Sequence, residues 1–134
     1  MGKTYEGSGT RRKHIVTSVS IIGPNGQLGS DLVKVFTKAG WKVNPITHAE
    51  ISVQNAESVY VALKSAGTDW VINTAAFHKV DECERDSQKA WEINAHGAKN
   101  VATVARDMGI RSVFISSDYV YSGDKGASYS ESDP

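Results

Sequence analysis

Three glycines, Gly23, Gly26 and Gly29, recur at three-residue spacing in Ile21-Ile22-Gly23-Pro24-Asn25-Gly26-Gln27-Leu28-Gly29. The chemistry this suits is the holding of a phosphate. Gly23 lets the chain leave a strand in a tight turn, Gly26 lets the backbone approach a pyrophosphate with no Cβ in the way, and Gly29 lets the next helix pack closely on the sheet. The free N–H groups of that helix's first turn, from Gln27, Leu28 and Gly29, then face the anion with the positive end of the helix dipole behind them. Asn25 completes the loop. Ordinary turns also contain three glycines, so the flanking elements decide what the spacing means.

Those elements have the required order. Ile15, Val16, Val19, Ile21 and Ile22 read as a strand before the loop, and Leu28, Leu32, Val35, Phe36 and Ala39 follow at helical spacing until Gly40. Trp41 to Ile46 reads as a second strand, with Pro45 expected to end its pairing. Ile51-Ser52-Val53 reads as a short third strand. Ser52 or Asn55 is expected to cap the next helix, whose apolar residues are Val59, Val61, Ala62 and Leu63 and which stops at Gly67. Trp70 to Ala76 is a continuous apolar run suited to a parallel sheet buried on both faces. A polar connection from Phe77 to about Asp86 leads into a long helix reaching Met108, where Gly97 predicts a bend or a close contact. Ser112 to Ser116 reads as a fifth strand, followed by turn-rich sequence. Met1 to Lys13 has no apolar periodicity and is expected to be a flexible tail.

Strands alternating with helices predict an α/β fold: a doubly wound parallel sheet of the Rossmann type, occupying 14–134 and stopping after its fifth strand. Ligands of such sheets bind beyond the carboxyl ends of the strands. The glycine loop, Ala75-Ala76 and Ser116-Ser117-Asp118 are all expected there, on one crevice. Small side chains at Ala75 and Ala76 keep such a crevice open.

At 134 residues the chain suffices for one such domain and not for a full substrate domain as well. Fifteen basic and fifteen acidic residues cancel, so nothing in the charge points to nucleic acid or an anionic membrane. Cys83 stands alone, which excludes an internal disulfide or a cysteine metal cluster and fits a reducing compartment. Without an apolar run near the roughly 18 residues that span a bilayer, a soluble cytoplasmic protein is expected.

The glycine loop, Val71-Ile72-Asn73-Thr74-Ala75-Ala76-Phe77 with Val80-Asp81, Asn94-Ala95, and Ile115-Ser116-Ser117-Asp118-Tyr119-Val120-Tyr121-Ser122-Gly123 together carry a resemblance. From Ile15 to Pro134 the chain resembles the extended short-chain dehydrogenases/reductases, and within them the reductases of dTDP-4-dehydrorhamnose. The last of these stretches is the most specific. The resemblance implies NADPH or NADH as cofactor, a dTDP-sugar as substrate, and hydride transfer to the sugar's 4-keto group. By resemblance Ser117 is the catalytic hydroxyl on the keto oxygen, and Asp118 touches substrate with it; read locally, Ser117 caps the loop and Asp118 accepts backbone N–H groups in a turn. A hydroxyl donor there stabilises charge that develops as hydride arrives. By resemblance Gly26, Gln27 and Leu28 cradle the pyrophosphate, Ala76, Phe77 and His78 lie beside the nicotinamide-side ribose, and Ser116 also contacts the cofactor; read locally, Phe77 and His78 are an ordinary loop aromatic and a solvent-exposed imidazole. Asn73 reads as a structural hydrogen-bonder, and Asp81 and Asn94 match the family without an evident chemical role.

The chain departs from that family at three places. Thr47-His48 follows the second strand where relatives carry a charged residue against the ribose, so the choice between NADPH and NADH stays open; His48 approaches a 2′-phosphate only when protonated. Ser52-Val53 replaces an acid-plus-apolar pair facing adenosine and keeps only the apolar contact. The family's Tyr-x-x-x-Lys pair is missing from its place. Tyr60 and Lys64 have the spacing by coincidence on another helix, and Tyr121 and Lys125 fall in a glycine-containing turn. The expectation is an N-terminal fragment that binds dinucleotide without efficient turnover. An uncovered sheet edge predicts pairing, as in a homodimer, or aggregation. The resemblance extends to the non-catalytic regulatory β subunit of methionine adenosyltransferase and to sugar-nucleotide epimerases and dehydratases, which stay open as alternatives.

Overall fold

The computed structural model describes residues 17–133; the expected N-terminal tail, with Ile15 and Val16 of the first strand, lies outside them. In chain order come β1 (Ser18–Ile22), α1 (Gln27–Lys38), β2 (Lys42–Ile46), α2 (Ala56–Ala66), β3 (Trp70–Asn73), α3 (Val80–Arg85), α4 (Ser87–Trp91), a π-helical turn (Glu92–Gly97), α5 (Ala98–Asp107), β4 (Arg111–Phe114) and a 3-10 turn (Asp118–Val120). The strands form one parallel sheet in the order β2-β1-β3-β4. The chain leaves β1 towards one side to make β2, then returns to make β3 on the other. Strand order therefore reverses between β1 and β3, where ligands of such sheets bind.

Alternation along β1 sorts the core into two layers. Val19 and Ile21 meet Ile72 under Leu32, Val33 and Phe36 of α1. On the opposite face Ile22 joins Val59 and Leu63 of α2, Val71 of β3, and Val101, Val104 and Ala105 of α5. β1 is buried along its whole length because it lies inside the sheet with helices on both faces, whereas the residues of β4 are exposed.

The helix boundaries follow local chemistry. Among the two expected caps for α2 it is Asn55 that serves, its Oδ1 accepting from the N–H groups of Glu57 and Ser58 at 2.9 and 3.2 Å. Gly40 and Gly67, with φ of 80° and 56°, end α1 and α2 in the left-handed region.

Three expectations are corrected. Ile51-Ser52-Val53 is a buried turn and not a strand, so the described sheet has four strands and the strand read as fifth is β4. Its alternation arises because Ile51 and Val53 dip into the core while Ser52 faces out. Pairing of β2 runs past Pro45 to Ile46, since β2 is an edge strand and the nitrogen of Pro45 need not donate to a neighbour. The expected polar connection after Phe77 holds a short helix of its own, α3, whereas the long helix is present as read: Asp86 caps α4 by accepting from the Lys89 N–H at 3.0 Å, and helical backbone continues from α4 through the π-helical turn into α5.

The entry to β1 is tied to the entry to β3. The Ser18 hydroxyl and N–H donate to Asp69 Oδ2 at 2.7 and 2.8 Å, and the Asp69 N–H donates back to the Ser18 hydroxyl at 3.0 Å. The Ser18 hydroxyl, then its N–H, hold the Asp69 carboxyl below its ordinary value of 3.8. A carboxyl whose pKa is lowered by folding contributes stability above its unfolded pKa and loses it as pH falls through the folded value. Urea melts taken from neutral pH into the acid range should show Asp69→Asn with a shallower acid loss of stability than the parent chain.

Candidate functional site

The glycine turn is defined by what surrounds it. Gly23 has φ of 84°, and a Cβ there would stand 2.9 Å from Thr74 Oγ1. Gly29 is tighter: its Cβ would lie 2.1 Å from the carbonyl oxygen of Gly23. Gly29 thus lets α1 start directly against the turn itself, more than against the sheet as the spacing suggested. Gly26 differs from both. Its φ is an ordinary −74°, and a Cβ would meet only the Gly23 oxygen, at 3.5 Å, with open space beyond.

That open space belongs to a cleft of about 460 Å³ at the carboxyl ends of β1, β2 and β3. Its floor is Gly23 to Gly26, one wall runs from Thr47 and His48 through Ser52 and Val53 to Gln54, and the other holds Thr74, Ala75, Ala76 and His78 with Ile93. Of the expected cofactor residues, Gly23, Asn25, Gly26, His48, Ser52, Val53, Ala75, Ala76 and His78 line it together. Gln27 and Leu28 are exposed on the first turn of α1, and Gly29 is buried beneath them.

Phe77 lies outside the lining. Its N–H donates to Asn94 Oδ1 at 2.8 Å and its carbonyl accepts from Asn94 Nδ2 at 2.9 Å, while the Lys89 ammonium sits 4.9 Å from its ring centre. Ser116, Ser117 and Asp118 follow β4 at the same end of the sheet but outside this cleft, because β4 is one strand farther from the reversal. The Ser117 hydroxyl caps the 3-10 turn, accepting from the Tyr119 N–H at 3.1 Å, and donates to Asp118 Oδ1 at 3.3 Å. Ser117 is exposed. The loop beyond is self-packed: the Tyr129 oxygen accepts from the N–H of Gly123 at 2.9 Å, and its ring stacks on Tyr121 at 4.3 Å. Tyr121 and Lys125 are thereby engaged within the loop, Lys125 pairing with Asp133, and Tyr60 and Lys64 lie on α2, away from the cleft.

Residues 17–134 match the family described as the RmlD substrate binding domain. The chain belongs to that family. It is 36% identical over 119 residues to the spore coat polysaccharide biosynthesis protein SpsK of Bacillus subtilis, covering 89% of this chain and 42% of that protein. It superposes on the dTDP-4-dehydrorhamnose reductase of Clostridium acetobutylicum with a TM-score of 0.80 and 34% identity, over 88% of this chain and 42% of that one. The Bacillus anthracis dTDP-4-dehydrorhamnose reductase, solved in complex with NADP, gives 0.78 and 32% over 85% and 41%. The chain therefore spans about two fifths of the length of these relatives.

Within this RmlD-family cleft the structure adds residues that the sequence did not single out as functional. The Thr74 hydroxyl reaches the carbonyl oxygens of Ile22 at 2.7 Å and Gly23 at 3.2 Å, fastening the glycine turn to β3. Asn73, read as a structural hydrogen-bonder, is buried and accepts from the Ala75 N–H at 3.0 Å. Glu50 supplies a charge at the end of β2 where Thr47-His48 had none, its Oε2 accepting from the Thr47 N–H and hydroxyl, each at 2.8 Å. The Thr47 N–H, then its hydroxyl, hold the Glu50 carboxyl below the usual carboxylate range. Its only sequence signal was a carboxylate three residues beyond the strand-end threonine. Among the described residues no His, Cys, Asp and Glu gather to hold a metal.

The glycines separate by role in a stability measurement. Gly29→Ala should cost about 3 kcal/mol or more in denaturant unfolding, because its Cβ has nowhere to go among backbone atoms. Gly26→Ala should stay within about 1 kcal/mol, the loss at a helix N-cap being small when no backbone clashes.

Proposed function

We propose that this chain is the dinucleotide-binding part of an NAD(P)H-dependent reductase acting on the 4-keto group of a dTDP-linked sugar. One observation carries the reading: an open cradle at Gly26, before the first turn of α1, faces the same cleft as the ends of β2 and β3. A phosphate fits that cradle chemically, since the unpaired N–H groups of the first turn and the helix dipole favour an anion and no Cβ intrudes. The residues present therefore fit a dinucleotide. Asn25, Gly26, Gln27 and Leu28 would hold its pyrophosphate. The wall from His48 to Val53 would hold one nucleoside, and Ala75, Ala76 and His78 the other.

When bound, a reduced nicotinamide supplies the hydride. The chain's own contribution is to orient and to stabilise charge. Ala75 and Ala76 present little bulk, which leaves room for a ring beside β3. Ser117, exposed beyond β4, would turn its hydroxyl from Asp118 to the keto oxygen and stabilise the negative charge arising there. Asp118 would accept from a sugar hydroxyl. The relatives named dTDP-4-dehydrorhamnose reductase support this choice of substrate, and the relative solved with NADP supports the choice of cofactor. Glu50 brings a carboxylate to the end of β2, and a carboxylate near the ribose repels a 2′-phosphate.

The test is titration of the purified chain with NADPH and with NADH, read by energy transfer from Trp41, Trp70 and Trp91 to the reduced nicotinamide. Saturable binding is expected, lost in Gly26→Val, whose branched side chain fills the cradle while the fold persists. A folded chain that binds neither nucleotide contradicts the reading.

A further inference from the structure

The π-helical turn over Glu92–Gly97 needs an explanation, because its i to i+5 bonding is poorer than that of an α-helix and such turns persist where tertiary contacts favour them. Two sets of contacts leave this short stretch in different directions. Asn94 makes both of its side-chain bonds to the backbone of Phe77, the residue between Ala76 and His78 of one cleft wall. The Cys83 thiol donates to the same Phe77 carbonyl at 3.2 Å. Gly97 lies against the opposite wall: a Cβ on it would stand 2.7 Å from Val53 Cγ2. One turn farther on, Asn100 Nδ2 donates to the carbonyl of Val53 at 3.0 Å. Ile93, within the π-helical turn, itself lines the cleft.

A regular helix cannot present these residues in the same relation, since the widened turn inserts an extra residue and alters the phase between Asn94 and the start of α5. The backbone on either side of the cleft is thus fixed from behind by one helical segment. The wall at Val53 has no strand of its own, and the wall at Phe77 has left β3.

We propose that Asn94 and Asn100 are positioning residues of the dinucleotide cleft, the π-helical turn setting the separation of its two walls. This rests on the dinucleotide reading above. Neither asparagine touches the ligand. In open α/β sheets of this kind a group near the end of the second strand contacts the ribose of the adenosine half, so the Val53 wall faces adenosine and the Phe77 wall faces the other nucleoside. Asn94 therefore governs the half of the ligand beyond the pyrophosphate, and Asn100 governs the adenosine half. A residue that merely supports folding would not divide the ligand in this way.

The division gives the test. The full 134-residue chain is titrated by calorimetry with whichever of NADH and NADPH it binds more tightly, and separately with the matching adenosine half, ADP or ADP carrying the 2′-phosphate. Asn94→Ala removes two backbone hydrogen bonds and should weaken the whole dinucleotide about tenfold while changing the adenosine half by less than about twofold. Asn100→Ala should weaken both ligands by a similar factor, about fivefold. Should Asn94→Ala fail to fold, Asn94→Asp keeps the acceptor for the Phe77 N–H and should show the same selective loss against the dinucleotide. Equal losses for the two ligands in the Asn94 variants, or none for either, overturn this inference alone. A folded parent chain that binds no dinucleotide overturns the dinucleotide reading and this inference together.

Discussion

At Gly23 the backbone of three strands is tied at one point. Its N–H donates to the carbonyl of Ile46 at the end of β2, at 3.2 Å, and its own carbonyl accepts from the Gly26 N–H and the Thr74 hydroxyl at 3.1 and 3.2 Å. That carbonyl also lies where a Cβ on Gly29 would have to be. The turn is therefore determined by hydrogen bonds in the sheet plane and by the absence of side chains above it. Buried backbone polar groups must find partners, and here the partners they find hold the loop open. Had the strand-end groups been left to water, the cleft would have no rigid floor.

The rest of the site depends on this knot. The walls gain their shape from side chains that bond backbone, Asn73 locally to Ala75, and Asn94 to Phe77 and Asn100 to Val53 from farther along the chain. Such bonds to partly buried backbone are satisfied only in one arrangement, so they favour a single cleft geometry over a set of similar ones. The charged groups at the rim are placed differently. His48 and His78 are exposed, and Glu50 is held by Thr47 alone. The molecule thus joins a rigid polar frame to an adaptable ionic edge, a division suited to a ligand whose pyrophosphate is invariant and whose ribose substituent varies.

Much of this was legible in the sequence because some residues carry one dominant steric reason. Gly23, with its positive φ and its close neighbour, could hardly be another residue type, and Gly40 and Gly67 mark helix ends for a related reason. The run from Trp70 marked β3 and, beyond it, small residues that line the cleft. What stayed hidden depends on tertiary contact. Ile51-Ser52-Val53 alternates like a strand, yet its pattern reflects two side chains entering the core under α2 and α5. Gly97 announced a bend or contact without revealing that Val53 was the neighbour or that the helix would widen into a π-turn. Periodicity registers which face is apolar and not which carbonyl an asparagine will find, so Asn94 appeared as a match without a task. Ser117 illustrates the converse: the motif singled it out, and its hydroxyl caps a turn, the local role that its place in a loop also allowed.

If the glycine turn and the ends of β2 and β3 form one dinucleotide cleft, they must respond to the ligand as a unit. Mapping backbone amide shifts of the isotopically labelled chain by NMR during addition of NADPH addresses this most directly. The largest changes should fall on Asn25 to Gly29, Thr47 to Gln54 and Ala75 to His78, moving together with one dissociation constant. Changes confined to a distant surface such as α3, or segments that respond with separate constants, would contradict it.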